Sequence, residues 1–103
     1  MGRASRFKPR RLAEKLLRIR ADLGLSQGRL IDHLEMTNVI YPGYVSEYEN
    51  GKREPSLQVL LAYARAAGVC MDVLADDELD LPSQLPGRPQ HKGFNTVFKK
   101  RHQ

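Results

Sequence analysis

The feature that most constrains this chain is its division by glycine and serine into short amphipathic segments. Gly24 and Gly68 each follow an apolar helical stripe, at the position where a left-handed residue ends a helix. Ser26 and Ser56 open the next segments, because a serine hydroxyl accepts a hydrogen bond from a free amide of the first turn. Short helices with no convincing strand between them predict a compact all-α domain.

The spacing of apolar residues within these segments predicts five helices. They are expected over about residues 10–23, 27–34, 42–50, 57–67 and 70–76. In the first helix, Lys15 and Arg18 fall among the polar residues off the apolar stripe. The predicted buried stripe of the fourth helix consists of Leu57, Leu60, Leu61 and Ala64.

Charge divides the 103 residues into a basic arm, an acidic middle and a basic tail. The net charge is +7 over the first 20 residues, −7 over the next 61 and +5 over the remainder. We assign residues 1–9 to an N-terminal arm, 10–81 to the helical domain and 82–103 to an extended, proline-containing tail. Basic arms on a compact body often contact nucleic acid, although charged ends also aid solubility.

Several function classes lack support in the sequence. The length allows one domain, and no apolar run approaches the ~18–20 residues that cross a membrane. A single cysteine, Cys70, excludes an intramolecular disulfide. The absence of a membrane-spanning run and of a disulfide predicts a cytoplasmic protein. His33, His91 and His102 lack metal-ligand spacing, and no nucleophile–base arrangement occurs. The sequence predicts a non-enzyme with no cofactor and no metal.

Two stretches of the chain resemble the Cro and phage-repressor type of helix-turn-helix domain, also called XRE-like. They read LAEKLLRIRADLGLSQGRLIDHL and YVSEYENGKREPSLQVLLAYARAAGVCMDVL, within about residues 10–75. The most specific parts are LGLSQ, YENGKREPS and LLAYARAAGV, which follow one another in the family's order. The resemblance implies a lambda-repressor-like fold of five helices whose third enters the DNA major groove.

The resemblance also implies contacts to the DNA backbone. Gln27 at the start of helix 2 and Asn50 just after helix 3 match positions that contact phosphate. Lys52 and Arg53 lie in the loop where such proteins place further backbone contacts. Their cations suit phosphate, which supplies the sequence-independent part of affinity.

Helix 3 contains the positions that the resemblance assigns to base reading. Those with polar groups are Tyr44, Ser46 and Glu47, and a glutamate accepts from the cytosine amino group. Arg20 and Glu49 match an ion pair that ties helix 1 to helix 3, for which bidentate geometry is available. The segment between helices 2 and 3 is longer than the family pattern by about four residues.

The N-terminal arm is a further candidate for DNA contact. Arg3, Arg6, Lys8, Arg10 and Arg11 are expected to enter the minor groove or to lie on phosphates. The alternative is a disordered end that only aids solubility.

These observations predict a sequence-specific DNA-binding protein, a repressor-like regulator whose partner is double-stranded DNA. Such domains commonly occupy two half-sites, so a homodimer is also predicted. An antitoxin-like or other protein-interaction module stays open as the alternative, with the C-terminal tail binding a protein partner. The unusual helix 3, the acidic middle and the long tail favour that alternative.

Overall fold

The computed structural model describes residues 9–86, which fold into five helices. They are α1 (Leu12–Leu23), α2 (Gln27–His33), α3 (Pro42–Glu49), α4 (Leu57–Ala67) and α5 (Met71–Ala75). The bounds agree with the predicted helices within two residues, and the described part of the chain contains no strand. The prediction of an all-α, five-helix domain is confirmed.

Serine and glycine mark the helix ends as the sequence predicts. The Oγ atoms of Ser26 and Ser56 each accept a hydrogen bond from the amide three residues later, at 3.1 and 3.2 Å. Gly24 and Gly68 follow α1 and α4 with φ of 71° and 78°. Glycine adopts this left-handed conformation without the steric cost of a Cβ. Local sequence therefore determines these four helix ends.

The buried face of α4 differs from the prediction. Val59, Tyr63 and Ala67 point into the core at successive steps of four residues, together with the predicted Ala64. Leu57, expected to be buried, is 68% exposed. Because α4 is apolar around much of its circumference, periodicity alone does not select the face that packs.

α1 lies at the centre of the domain and packs against α3, α4 and α5. Leu16 and Ile19 on its inner face are fully buried. Each neighbouring helix contributes a fully buried side chain to the same core: Val45 from α3, Tyr63 from α4 and Leu74 from α5. The positions of α3, α4 and α5 are therefore set by packing on α1, whereas α2 packs against α3.

Lys15 of α1 is buried, although the sequence placed it among the polar residues off the apolar stripe. Its side chain crosses to the end of α5 and the turn beyond it. The Nζ donates to the carbonyl oxygens of Val73, Asp76 and Leu79, at 2.8, 2.9 and 2.7 Å. The last carbonyls of a helix lack intrahelical partners and attract a cation. Lys15 therefore attaches α5 to α1.

The chain after α5, residues 76–86, runs back along α1 and is called the C-terminal strap. The Asp77 carboxylate accepts the backbone amides of Arg10 and Arg11 just ahead of α1. These hydrogen bonds lower the pKa of Asp77, because they stabilise its ionised form. Arg11 in turn donates from Nη1 to the Asp77 carbonyl oxygen (2.8 Å) and from Nη2 to Asp80 (2.7 Å).

The packed chain continues beyond residue 81, where the sequence analysis ended the domain. Leu81 and Leu85 of the strap are both buried. The Arg18 guanidinium donates to the carbonyl oxygens of Pro82 and Ser83. The prolines around Leu85 predict an extended chain, and an extended chain can still bury an apolar side chain on a neighbouring helix.

We expect Lys15→Met to lower the free energy of unfolding by about 2–4 kcal/mol, because partly buried carbonyls lose their hydrogen-bond donor. Chemical denaturation measures this loss. Lys52→Met is the matched control, since Lys52 is exposed and its replacement should change stability by less than ~0.5 kcal/mol. Equal effects of the two substitutions would contradict a structural role for Lys15.

Candidate nucleic-acid interface

The connection between α2 and α3 is held in place by its own backbone hydrogen bonds. The amide of Met36 donates to Ile31 (3.0 Å), and the amide of Ile40 donates to Met36 (3.1 Å). Glu35 and Asn38 adopt positive φ, of 60° and 71°, which turns the chain tightly. Ile40, at the end of this connection, is buried. The longer segment therefore ends at a residue fixed in the core, Ile40, two residues before α3 begins.

The two faces of α3 differ in burial. Val45 and Tyr48 pack into the core. Gly43, Ser46 and Glu47 lie on the other side of the helix. A Cβ built at Gly43 would meet no atom within 4 Å, so the start of this face is open. This side is called the exposed face of α3.

An ion pair between Arg20 and Glu49 joins α1 to the end of α3. Arg20 donates from Nε to Oε2 (2.6 Å) and from Nη2 to Oε1 (2.9 Å), which is a bidentate contact. Its Nη1 donates to the carbonyl oxygen of Leu25 (3.0 Å). The Glu49 side chain is only 7% exposed. The hydrogen bond to Glu49 raises the pKa of Arg20, so the guanidinium stays charged in this partly buried site.

The residues assigned to phosphate lie at the start of α2 and just after α3. Gln27 is partly buried, and its Nε2 donates to Oε1 of Glu49 (3.3 Å). Asn50 and Lys52 are exposed on either side of Gly51, which turns the chain with φ of 75°. The Glu49 carboxylate thus connects Gln27 to the end of α3, next to Asn50.

Glu47 and Arg53, which were predicted to make separate contacts with DNA, form an ion pair. The Arg53 Nε donates to Glu47 Oε1 (2.6 Å), and this hydrogen bond raises the pKa of Arg53. The Arg53 Cζ lies 4.0 Å from the centroid of the Tyr44 ring, a cation–π contact. Tyr41 meets the Tyr44 ring edge-on, with centroids 5.7 Å apart. The sequence signal for the pair was two opposite charges on either side of a glycine turn.

The basic arm lies mostly outside the described residues, which exclude Arg3, Arg6 and Lys8. Arg10 is exposed. Arg11 is bonded to Glu14 as well as to the C-terminal strap. Arg11 was one of the residues expected to reach DNA, but its guanidinium has partners within the protein.

Residues 9–86 lack the features of two other kinds of site. No helix in this range is long and apolar enough to cross a membrane. The same range holds no group of three or more histidine, cysteine or acidic residues that could bind a metal ion.

Two short helices at the surface, the second with an exposed face and neighbouring cations, define a helix-turn-helix protein. The helix-turn-helix family model matches residues 16–74, and the chain belongs to this family, of the XRE or Cro/repressor type. The family consists of DNA-binding domains typical of transcriptional regulators and is not an enzyme family. No curated protein and no solved structure gives a significant match to the chain.

We expect Arg20→Ala and Glu49→Ala each to cost about 2–4 kcal/mol of stability, because each leaves a largely buried charge without its partner. The double variant should lose less than the sum, with a coupling energy of about 1–3 kcal/mol. The same cycle on Arg18 and Asp22, an exposed pair on α1, is the control and should give only ~0.3–0.5 kcal/mol. Additive losses at Arg20 and Glu49 would rule out a stabilising ion pair.

Proposed function

We propose that this protein binds double-stranded DNA sequence-specifically and regulates transcription as a repressor does, with α3 in the major groove. The supporting observation is that Arg20 and Glu49 lock α3 to α1 while the exposed face stays open. Reading base edges requires a helix held rigidly with one face accessible. This function agrees with the predicted cytoplasmic location.

Two sets of side chains contribute to this proposed interface. The proposed phosphate contacts are Gln27, Asn50 and Lys52, which lie together at the C-terminal end of α3, where Gln27 donates to Glu49. Tyr44 and Ser46 present hydroxyl groups from α3, and a hydroxyl both donates to and accepts from base edges. Phosphate contacts set the register on the duplex, whereas base contacts distinguish sequences.

A homodimer is part of the proposal, since two copies one helical turn apart would read a palindromic site. Residues 87–103 lie outside the described part of the chain. The binding of a protein partner by the tail stays a prediction. Size-exclusion chromatography with and without operator DNA measures whether the protein forms a dimer. Capture of a co-encoded protein by the tail tests whether the tail binds a protein partner.

Selection of bound duplexes from a random DNA pool, followed by titration at several salt concentrations, tests the proposed function. We expect one enriched motif and an affinity that falls as salt rises. Lys52→Gln should weaken binding to every sequence alike and reduce the salt slope by about 0.9 per copy bound. Recovery of no motif would contradict sequence-specific binding and favour the protein-interaction alternative.

Deletion of residues 1–8 should weaken DNA binding and leave the helical domain folded. Arg3, Arg6 and Lys8 are lost, and each phosphate contact contributes about 0.9 to the slope of log affinity against log salt. A full-length variant with glutamine at these three positions is the matched control, because it removes the charge and keeps the length. An unchanged slope in both proteins would mean that the arm makes no phosphate contact.

A further inference from the structure

The loop after α3 folds back over the helix and brings Arg53 onto it. The amides of Lys52 and Arg53 both donate to the carbonyl oxygen of Glu47, at 2.8 and 3.3 Å. The Arg53 side chain then lies over Tyr44 and against the carboxylate of Glu47. Arg53 therefore belongs to the surface of α3, although it is four residues beyond the helix.

Two contacts fix the plane of the Arg53 guanidinium. Glu47 Oε1 accepts the Nε hydrogen at 2.6 Å, and the Tyr44 ring covers one face of the group at 4.0 Å. Tyr41 packs edge-on against Tyr44 and supports that ring. A guanidinium held by both an ion pair and an aromatic face has fewer orientations open to it before any ligand arrives. Such preorganisation favours directional hydrogen bonding.

The far end of the guanidinium still has donors available. The Arg53 side chain is 44% exposed, and neither Nη atom has a hydrogen-bond partner within residues 9–86. The Nε is used by Glu47, so the end-on pair Nη1 and Nη2 remains. Two parallel donors on a rigid plane match two adjacent acceptor atoms, such as O6 and N7 of guanine or two phosphate oxygens.

The position of Glu47 distinguishes these two ligands. A carboxylate 2.6 Å from the Arg53 Nε offsets the positive charge that would attract a phosphate. It would also repel the phosphate itself, whose charge is negative. Guanine O6 and N7 are neutral acceptors and meet much less of this repulsion. The contact with Glu47 therefore selects a base edge over the DNA backbone.

We propose that Arg53 reads one guanine in the major groove, with Nη1 and Nη2 donating to O6 and N7, and that Glu47 and Tyr44 are positioning residues. The inference rests on the proposed function. It replaces the phosphate role that the sequence suggested for Arg53 and the direct base contact suggested for Glu47. In this arrangement the Glu47 carboxylate orients Arg53, whereas it would have no such role if Arg53 bound phosphate.

The experiment compares wild type with Arg53→Met on the selected motif, using 7-deazaguanine in place of each guanine in turn. This base pairs normally but lacks the N7 acceptor. At one guanine of each half-site, we expect wild type to bind the modified duplex about 2- to 12-fold more weakly, because one hydrogen bond of the pair is lost while O6 still accepts the other. Arg53→Met keeps the aliphatic stem and loses every donor, so it should show no response at that guanine.

Two further variants separate positioning from direct reading. Glu47→Gln should keep the same preferred base but discriminate less, and should bind unrelated DNA more tightly because a negative charge is removed. Tyr44→Leu should reduce discrimination at the same guanine, whereas Tyr44→Phe, which keeps the ring, should retain it. Lys52→Gln is the matched control and should leave the response to 7-deazaguanine unchanged. Melting temperatures verify that each variant is folded.

The outcomes distinguish this inference from the function on which it rests. A motif and a 7-deazaguanine response that survive in Arg53→Met would overturn the guanine contact and leave DNA binding standing. A changed preferred base in Glu47→Gln would overturn its positioning role and make Glu47 the reader. A wild-type protein that enriches no motif would overturn both the proposed function and the inference.

Discussion

A buried carboxylate needs a fixed partner, and Glu49 at the end of α3 has one in Arg20 of α1. Desolvation offsets much of the attraction in such a pair, so its main contribution is to specify one arrangement of two helices. Arg20 also donates to Leu25, ahead of α2, and Glu49 also accepts from Gln27 on α2. One ion pair thus holds α1, α2 and α3 in one arrangement, and the orientation of the exposed face of α3 depends on that arrangement.

The basic residues at the start of the chain make contacts within the domain. Arg11, Lys15 and Arg18 project from α1 toward the chain that follows α4, and all three donate to its carbonyl oxygens. Arg20 extends to α3. These cations of α1 are therefore used within the domain. A count of charge along the sequence overstates how much of this segment is available to a polyanion, because Lys15 is buried and Arg11, Arg18 and Arg20 are ion-paired.

The exposed face of α3 is unusual for a surface proposed to meet DNA, because it presents a carboxylate. In the proposed arrangement, Glu47 weakens attraction to phosphate and orients Arg53, so non-specific binding falls while base contacts are kept. The ratio of specific to non-specific affinity determines how well a regulator finds its site among competing sequences. A lower overall affinity is therefore compatible with a higher specificity.

The sequence by itself determined the features that depend on near neighbours. Ser26 and Gly24 mark helix ends through hydrogen bonds and backbone conformations within a few residues, and the order of five helices follows from such signals. Only the tertiary structure decided which side of α4 is buried, that Lys15 lies inside, and that Arg53 rests on α3. Each of these depends on groups distant in sequence, or on a loop whose path the periodicity of apolar residues does not predict. The periodicity of apolar residues describes one helix at a time, whereas burial depends on which other elements pack against that helix.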